Sequence, residues 1–417
     1  MLREIGYKDR FYYYKTVRNM RIEIILQNPV NPDALKNAVK KSLADYPHFS
    51  VRPVLKEGKP YYEEITKDAV VIPEDNKSRY FGTDETNGYL FYLKYQENRF
   101  LISTFHGLAD YAGLMPFVHN ILYYYTVECG GHTPDIRTKT NQGDKLELFD
   151  PYAKYADAEV APTWEYTQKE KIACLSVENE KKQNFHYGMH LSTKQFIDLT
   201  HKWKTSFVPA LISLISGAMA EAYQISEETV IAYTTVNMRT LFECKNQTNF
   251  SETIVMPVTK ELRTKERTIQ CKELRAFLDA QRTKQNFSKT MAAVVSAVKK
   301  IEQIPDENPC CVSLPIPNYL LTYPGRVEIP EGYETWIKDI RLEGALGDIS
   351  NMGNQVSVVV KTTGDDMCIS FQSAVNTEIL LEKLVNQLKI FGISARFESL
   401  DAIISDLYQI DKLKKSE

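Results

Sequence analysis

The chain has 417 residues, 43% hydrophobic and 25% charged, enough for about two or three domains and a core that needs no covalent staples. A net charge of −3 and a pI near 6.2 leave no electrostatic footprint for nucleic acid or an anionic membrane surface. Seven cysteines form no CxxC pair, the N-terminal residues lack the apolar core of a signal peptide, and no uncharged apolar run reaches about 18 residues; these features point to a reduced, cytoplasmic protein without a membrane span.

From the N-terminus, Met20, Ile22 and Ile24 alternate with Arg21 and Glu23, the period of a strand with one buried face. Asn31-Pro32 offers a helix cap and a first-turn proline, and Leu35, Ala38, Val39 and Leu43 follow at helical spacing. That helix should stop at Tyr46, before Pro47. Strands over Ser50 to Lys56 and Pro60 to Ile65 turn at Glu57-Gly58-Lys59, and a second hairpin joins Gly88 to Gln96 with Arg99 to Phe105. From about residue 130 to 183 Gly, Pro, Thr and charges dominate without a period, as in a crossover linker.

The second half starts with a strand over Phe185 to Leu191 and a helix carrying Phe196, Leu199, Thr200 and Trp203 on one face. Ser206 is placed to cap a buried helix in which Leu211, Leu214, Ile215, Ala218 and Met219 recur at three and four. Val230 to Val236, Thr253 to Val258, Cys310 to Pro315, Glu334 to Leu342, Gln355 to Thr362 and Met367 to Ser373 read as strands. Thr268 to Ile301 holds two helical segments, and helices over Glu378 to Phe391 and Leu400 to Leu413 close the chain. Both halves share a strand–helix–strands plan, which suggests an N-terminal lobe over 1–165 and a C-terminal lobe over 184–417.

The stretch Phe105-His106-Gly107-Leu108-Ala109-Asp110-Tyr111-Ala112-Gly113 ends an apolar strand and opens a helix. A histidine there can sit at a cleft floor as a general base, largely neutral at cytoplasmic pH with an ordinary pKa of about 6.5. Asp110 cannot easily share a strand face with His106, so it points away, pairs with a cation and fixes the turn. Spacing alone also fits a satisfied, buried histidine in a strand-to-helix connection.

His106-x-x-x-Asp110-x-x-Gly113 followed by a helix resembles the His-x-x-x-Asp-Gly motif of the chloramphenicol acetyltransferase-like superfamily. That superfamily takes in CoA-dependent acyltransferases, peptide-synthetase condensation domains, plant acyltransferases and microbial alcohol acetyltransferases. Other segments fall in the order this resemblance implies: the Leu35-to-Pro47 helix followed by His48-Phe49-Ser50-Val51-Arg52-Pro53, the strand ending Asn237-Met238-Arg239, and the turn Leu321-Thr322-Tyr323-Pro324-Gly325. The likeness covers nearly the full length and is nearest to bacterial alcohol acetyltransferase-like proteins.

The resemblance implies an α+β, two-lobed fold, each lobe a mixed sheet flanked by helices, with an active-site tunnel between lobes. It implies an acyl-CoA-dependent O-acyltransferase that moves an acetyl or short acyl group to an alcohol or amine acceptor. His106 would be the base, Asp110 would pair with Arg239 across the interface, and Gly113 would allow close packing of the helix start. Tyr111, Tyr323 and Gly325 are candidate cleft residues. Acyl-CoA would be a co-substrate, with no permanently bound cofactor and no metal.

Two positions depart from the pattern. Tyr111 replaces the motif's glycine and would narrow the tunnel or alter donor choice, and Phe105 replaces the first histidine of condensation domains, which argues against peptide formation. The Asp-Phe-Gly-Trp-Gly motif of the plant enzymes has no clear counterpart; Asp348-Ile349-Ser350-Asn351-Met352-Gly353 is only superficially similar. Two alternatives stay open: a condensation-like protein taking its acyl group from an acyl carrier protein, and a non-catalytic ligand-binding member with Tyr111 filling the tunnel.

Other residues carry less. His119 reads as a polar-face helix histidine, and no cysteine or acid cluster joins His186 and His190 into a metal site. Ser213 and Ser216 lack a nucleophile elbow, and Gly344 and Gly347 form no dinucleotide-binding fingerprint. Lys299-Lys300 and Lys414-Lys415 read as solvated helix ends, and Cys310-Cys311 as core packing.

Overall fold

The computed structural model describes residues 2–15, 19–57, 59–137, 149–157, 173, 185–303, 317–343 and 355–400. Three sheets organise them, with two hydrophobic cores on either side of a seam. The expected strand over Cys310 to Pro315, the helix after Leu400, and Asp348 to Gly353, Gly344, Gly347 and Lys414-Lys415 lie outside the described residues.

The first core lies against a five-stranded sheet in the order Ile337–Glu343, Asn19–Leu26, Arg99–Phe105, Phe91–Gln96, Val71–Pro73. Ile22, Ile24 and Leu26 point into that core, and the helix Pro32–Asp45 packs on the motif helix Tyr111–Glu128. Asn31 caps Pro32–Asp45 as its pattern implies, accepting bonds from the N–H groups of Asp33 and Ala34. The hairpin Val51–Lys56 and Lys59–Glu64 joins Leu2–Glu4 in a small third sheet.

One strand crosses between the halves. Ile337–Glu343, placed by its position in the chain with the C-terminal lobe, pairs antiparallel with Asn19–Leu26. The pleat explains the match: Leu342 lies opposite Ile22 and Ile340 opposite Ile24, while Arg341 lies opposite Glu23. Glu23 is held between Arg99 (3.4 Å) and Arg341 (3.6 Å), and burial pushes its carboxyl pKa up.

The second core lies against a seven-stranded sheet in the order Ser251–Val258, Val230–Asn237, Tyr319–Thr322, Val356–Thr363, Asp366–Ser373, Phe185–Ser192, Ala395–Ser399. Tyr319–Thr322 runs parallel to both its neighbours, whereas the other described strand pairs of this sheet are antiparallel. Helices Phe207–Ala222, Arg267–Gln281 and Glu378–Ile390 pack together over it. Leu211, Leu214, Ile215, Ala218 and Met219 of the first are buried, as their spacing implies. Ser206 stands at that helix's N-cap position, but its side chain makes no capping bond. Among the described residues, no single helix is long and apolar enough to cross a membrane.

Candidate active site

His106 follows the last residue of Arg99–Phe105, a strand whose Phe100, Ile102 and Phe105 are fully buried. The chain turns at once, and a side chain at Gly107 would collide there with the Phe105 ring, 2.3 Å from the position of a Cβ. Asp110 then caps the motif helix, accepting a 2.8 Å bond from Gly113 N–H.

The capping carboxylate is also the cross-lobe anchor. Its Oδ2 accepts from Arg239 Nη1 and from the Phe250 N–H, each at 2.8 Å, and both side chains of the ion pair are buried, at 6% and 12% exposure. Arg239 is itself clamped: Nε donates to the Asn246 carbonyl (2.5 Å) and Nη2 to that of Thr248 (2.6 Å). The second-lobe loop lies so close that a Cβ on Gly113 would stand 2.3 Å from the Gln247 carbonyl oxygen. Only glycine permits that approach.

The same loop reaches His106. Asn249 donates a 2.8 Å bond to the His106 carbonyl, and its amide nitrogen lies 3.3 Å from His106 Nδ1. Nδ1 also lies 3.4 Å from the Ala109 carbonyl oxygen. The Tyr12 ring covers the imidazole, with centroids 4.9 Å apart and planes inclined at 31°. Tyr12 belongs to the helix Tyr7–Lys15. A cavity of about 40 Å³, room for a few water molecules, opens beside Asn249 and Thr248 against Lys8, Asp9, Asp150 and Tyr152. Burial raises the Asp9 carboxyl pKa well above the ordinary carboxylate range, and the neighbouring charge of Asp150 adds to it.

The structure thus brings His106, Asp110, Gly113 and Arg239 to one seam. Tyr111 is the first residue of the motif helix and half-buried, and burial pushes its phenol pKa up. Tyr323 has a different contact, stacked on Phe207 at 5.2 Å with planes 5° apart, and Gly325 follows it in a left-handed turn (φ +99°). His119 lies further along the motif helix, and burial lowers its pKa. His186 bonds Ser370 Oγ at 2.8 Å, while His190 faces Asp366 at 3.1 Å. Tyr12 and Asn249 are contacts of the histidine that sequence reasoning missed, and neither carries a spacing that would have marked it.

No protein-family model matches the chain, and no curated protein matches it in sequence. Solved structures do match its fold. F. sporotrichioides TRI101 in complex with coenzyme A and T-2 superposes with a TM-score of 0.62 at 9% identity, covering 95% of this chain and 99% of that one. Polyketide synthase associated protein 5 from Mycobacterium tuberculosis gives 0.60 at 16% identity, covering 93% and 96%. The starter condensation domain of rhizomide synthetase RzmA gives 0.59 at 12% identity, covering 94% and 95%. The chain therefore has the two-lobed chloramphenicol acetyltransferase-like fold, the fold of CoA-dependent acyltransferases and condensation domains.

Proposed function

We propose that this protein transfers an acetyl or short acyl group from acyl-CoA to a hydroxyl or amine acceptor, with His106 as general base. The observation that carries the reading is the mounting of His106: the ring stands at the seam of the lobes, its backbone carbonyl tied to Asn249 and its turn locked by the Asp110–Arg239 pair. In the tautomer that carries its proton on Nδ1, directed at the Ala109 carbonyl, Nε2 keeps its lone pair for the acceptor.

The steps balance without a metal or a covalent enzyme intermediate. Nε2 takes the acceptor's O–H proton as the oxygen attacks the thioester carbonyl. The tetrahedral adduct then collapses, the C–S bond breaks, and the departing thiolate recovers the proton from the imidazolium. Histidine ends as it began. Holding donor, acceptor and base at one seam removes the translational cost of a three-body encounter. The fold likeness to a structure solved with coenzyme A and T-2 supports this donor class.

The test is thiol release by the purified chain from a set of acyl-CoAs, each with a panel of alcohols and amines, beside the same acyl groups on a carrier protein. Acceptor-dependent release from acyl-CoA is expected. Transfer from the carrier alone would establish a condensation-like protein instead, and acyl-CoA binding without turnover would establish a ligand-binding member of the fold.

A further inference from the structure

The helix Tyr7–Lys15 carries no site motif in its sequence, yet it supplies the ring that lies over His106. We propose that this helix is a working wall of the site, and that Tyr12 is a positioning residue whose ring stabilises the protonated form of His106. The role of protonation in turnover rests on the acyltransfer reading above; the contact between the rings does not.

The helix is fastened at two points, one of them shared with a third residue. Asp150, at the start of the crossover helix Pro151–Tyr155, accepts a 2.9 Å bond from the Tyr7 N–H. Lys8 Nζ reaches across the seam to Glu252 Oε1 at 2.6 Å, a pair with side chains only 10% and 6% exposed. The same carboxylate oxygen accepts from the Tyr152 hydroxyl at 2.6 Å. Removing one partner of so buried a pair is costly, so the fastening is firm. Lys8 and Tyr12 are four residues apart and share a helix face, so fixing one places the other. Lys8 Nζ sits 5.7 Å from the Tyr12 ring centroid and 5.4 Å from that of Tyr152, with its charge balanced by Glu252.

An aromatic ring attracts a cation over its face and gains much less from a neutral imidazole. During acyl transfer the His106 ring is a cation between taking the acceptor's proton and returning it to the thiolate. A ring 4.9 Å away therefore favours that interval over the resting state. Of the other charged groups around the turn, Asp110 is paired with Arg239, and burial pushes the Asp9 carboxyl pKa up.

The experiment follows the His106 ring by NMR through a pH titration of the full chain, with kcat and KM measured in parallel. Tyr12→Leu should lower the His106 midpoint by about 0.5–1 pH unit and kcat by roughly 3–10-fold, with the donor KM unchanged. Tyr12→Phe, which keeps the ring and loses the hydroxyl, should restore the midpoint and rescue kcat. Tyr12→Met carries the same comparison should Tyr12→Leu fail to fold. A wild-type midpoint in the non-aromatic variant, or failure of Tyr12→Phe to restore it, overturns the proposal. If wild-type protein turns over no acyl-CoA, the functional reading falls, while the ring titration still decides the role of Tyr12.

Discussion

At the scale of single residues, the chemistry turns on how each imidazole is housed. His106 is half-exposed and bonded at its Nδ1 edge, whereas His48 is 8% exposed among Tyr46 and Phe49, and among the described residues neither of its ring nitrogens has a hydrogen-bond partner. Burial, with a smaller push from the Arg3 charge, drives the His48 pKa from 6.5 down to about 3. The folded chain therefore refuses a proton that the unfolded chain accepts. His48's contribution is fully present above pH 6.5 and is lost as pH falls toward 3, by up to about 1.4 kcal/mol per pH unit. Urea unfolding at pH 7 and pH 4.5 should show a shallower acid loss in His48→Phe than in wild type. The buried carboxyls Asp9 and Asp150, with raised pKa values, act in the opposite sense, but both proteins share them and the difference cancels them. Equal pH dependence in the two proteins would contradict the assignment. At this scale the sequence disclosed residues whose spacing marks an element's end, such as His106 and Asp110. It could not disclose Asn249, which meets His106 from 143 positions away.

At the scale of elements, the seam depends on a helix cap that does two jobs. Asp110 satisfies a first-turn N–H of its own helix and bonds Arg239 and the Phe250 N–H of the other lobe. Asp110→Ala leaves a buried guanidinium without its counter-charge and two N–H groups without acceptors, so stability should fall by about 3–5 kcal/mol. Chemical denaturation measures it, and an unchanged midpoint would mean the pair contributes nothing to holding the lobes. Periodic elements were easy to read, the Pro32–Asp45 helix and the Arg99–Phe105 strand among them. Tyr7–Lys15 was not, because it buries Lys8, Asp9 and Arg10 together with Tyr13 and so shows no apolar stripe. Tyr319–Thr322, four residues long and buried between two parallel neighbours, has too little length for a period to show.

At the scale of the whole molecule, two lobes meet along contacts that sequence order alone does not reveal. Ile337–Glu343 joins the sheet of the opposite half, Lys361 of the seven-stranded sheet bonds Asp339 on that strand at 2.5 Å, and Lys8 bridges to Glu252. These contacts bind the halves into one body around the His106 turn. The fold was legible through the likeness of the His106-to-Gly113 motif and its companion segments to a known superfamily, beside a strand–helix–strands plan in both halves; the strand exchange was not, because pairing register depends on partners hundreds of residues apart. The most direct test of the central claim is the turnover of His106→Ala with the best acyl-CoA and acceptor pair, in protein shown to melt as wild type does. A fall in kcat of about 10²–10⁴-fold is expected for loss of a general base. Undiminished turnover would show that this histidine is not the base and that acyl transfer, if it occurs, proceeds elsewhere.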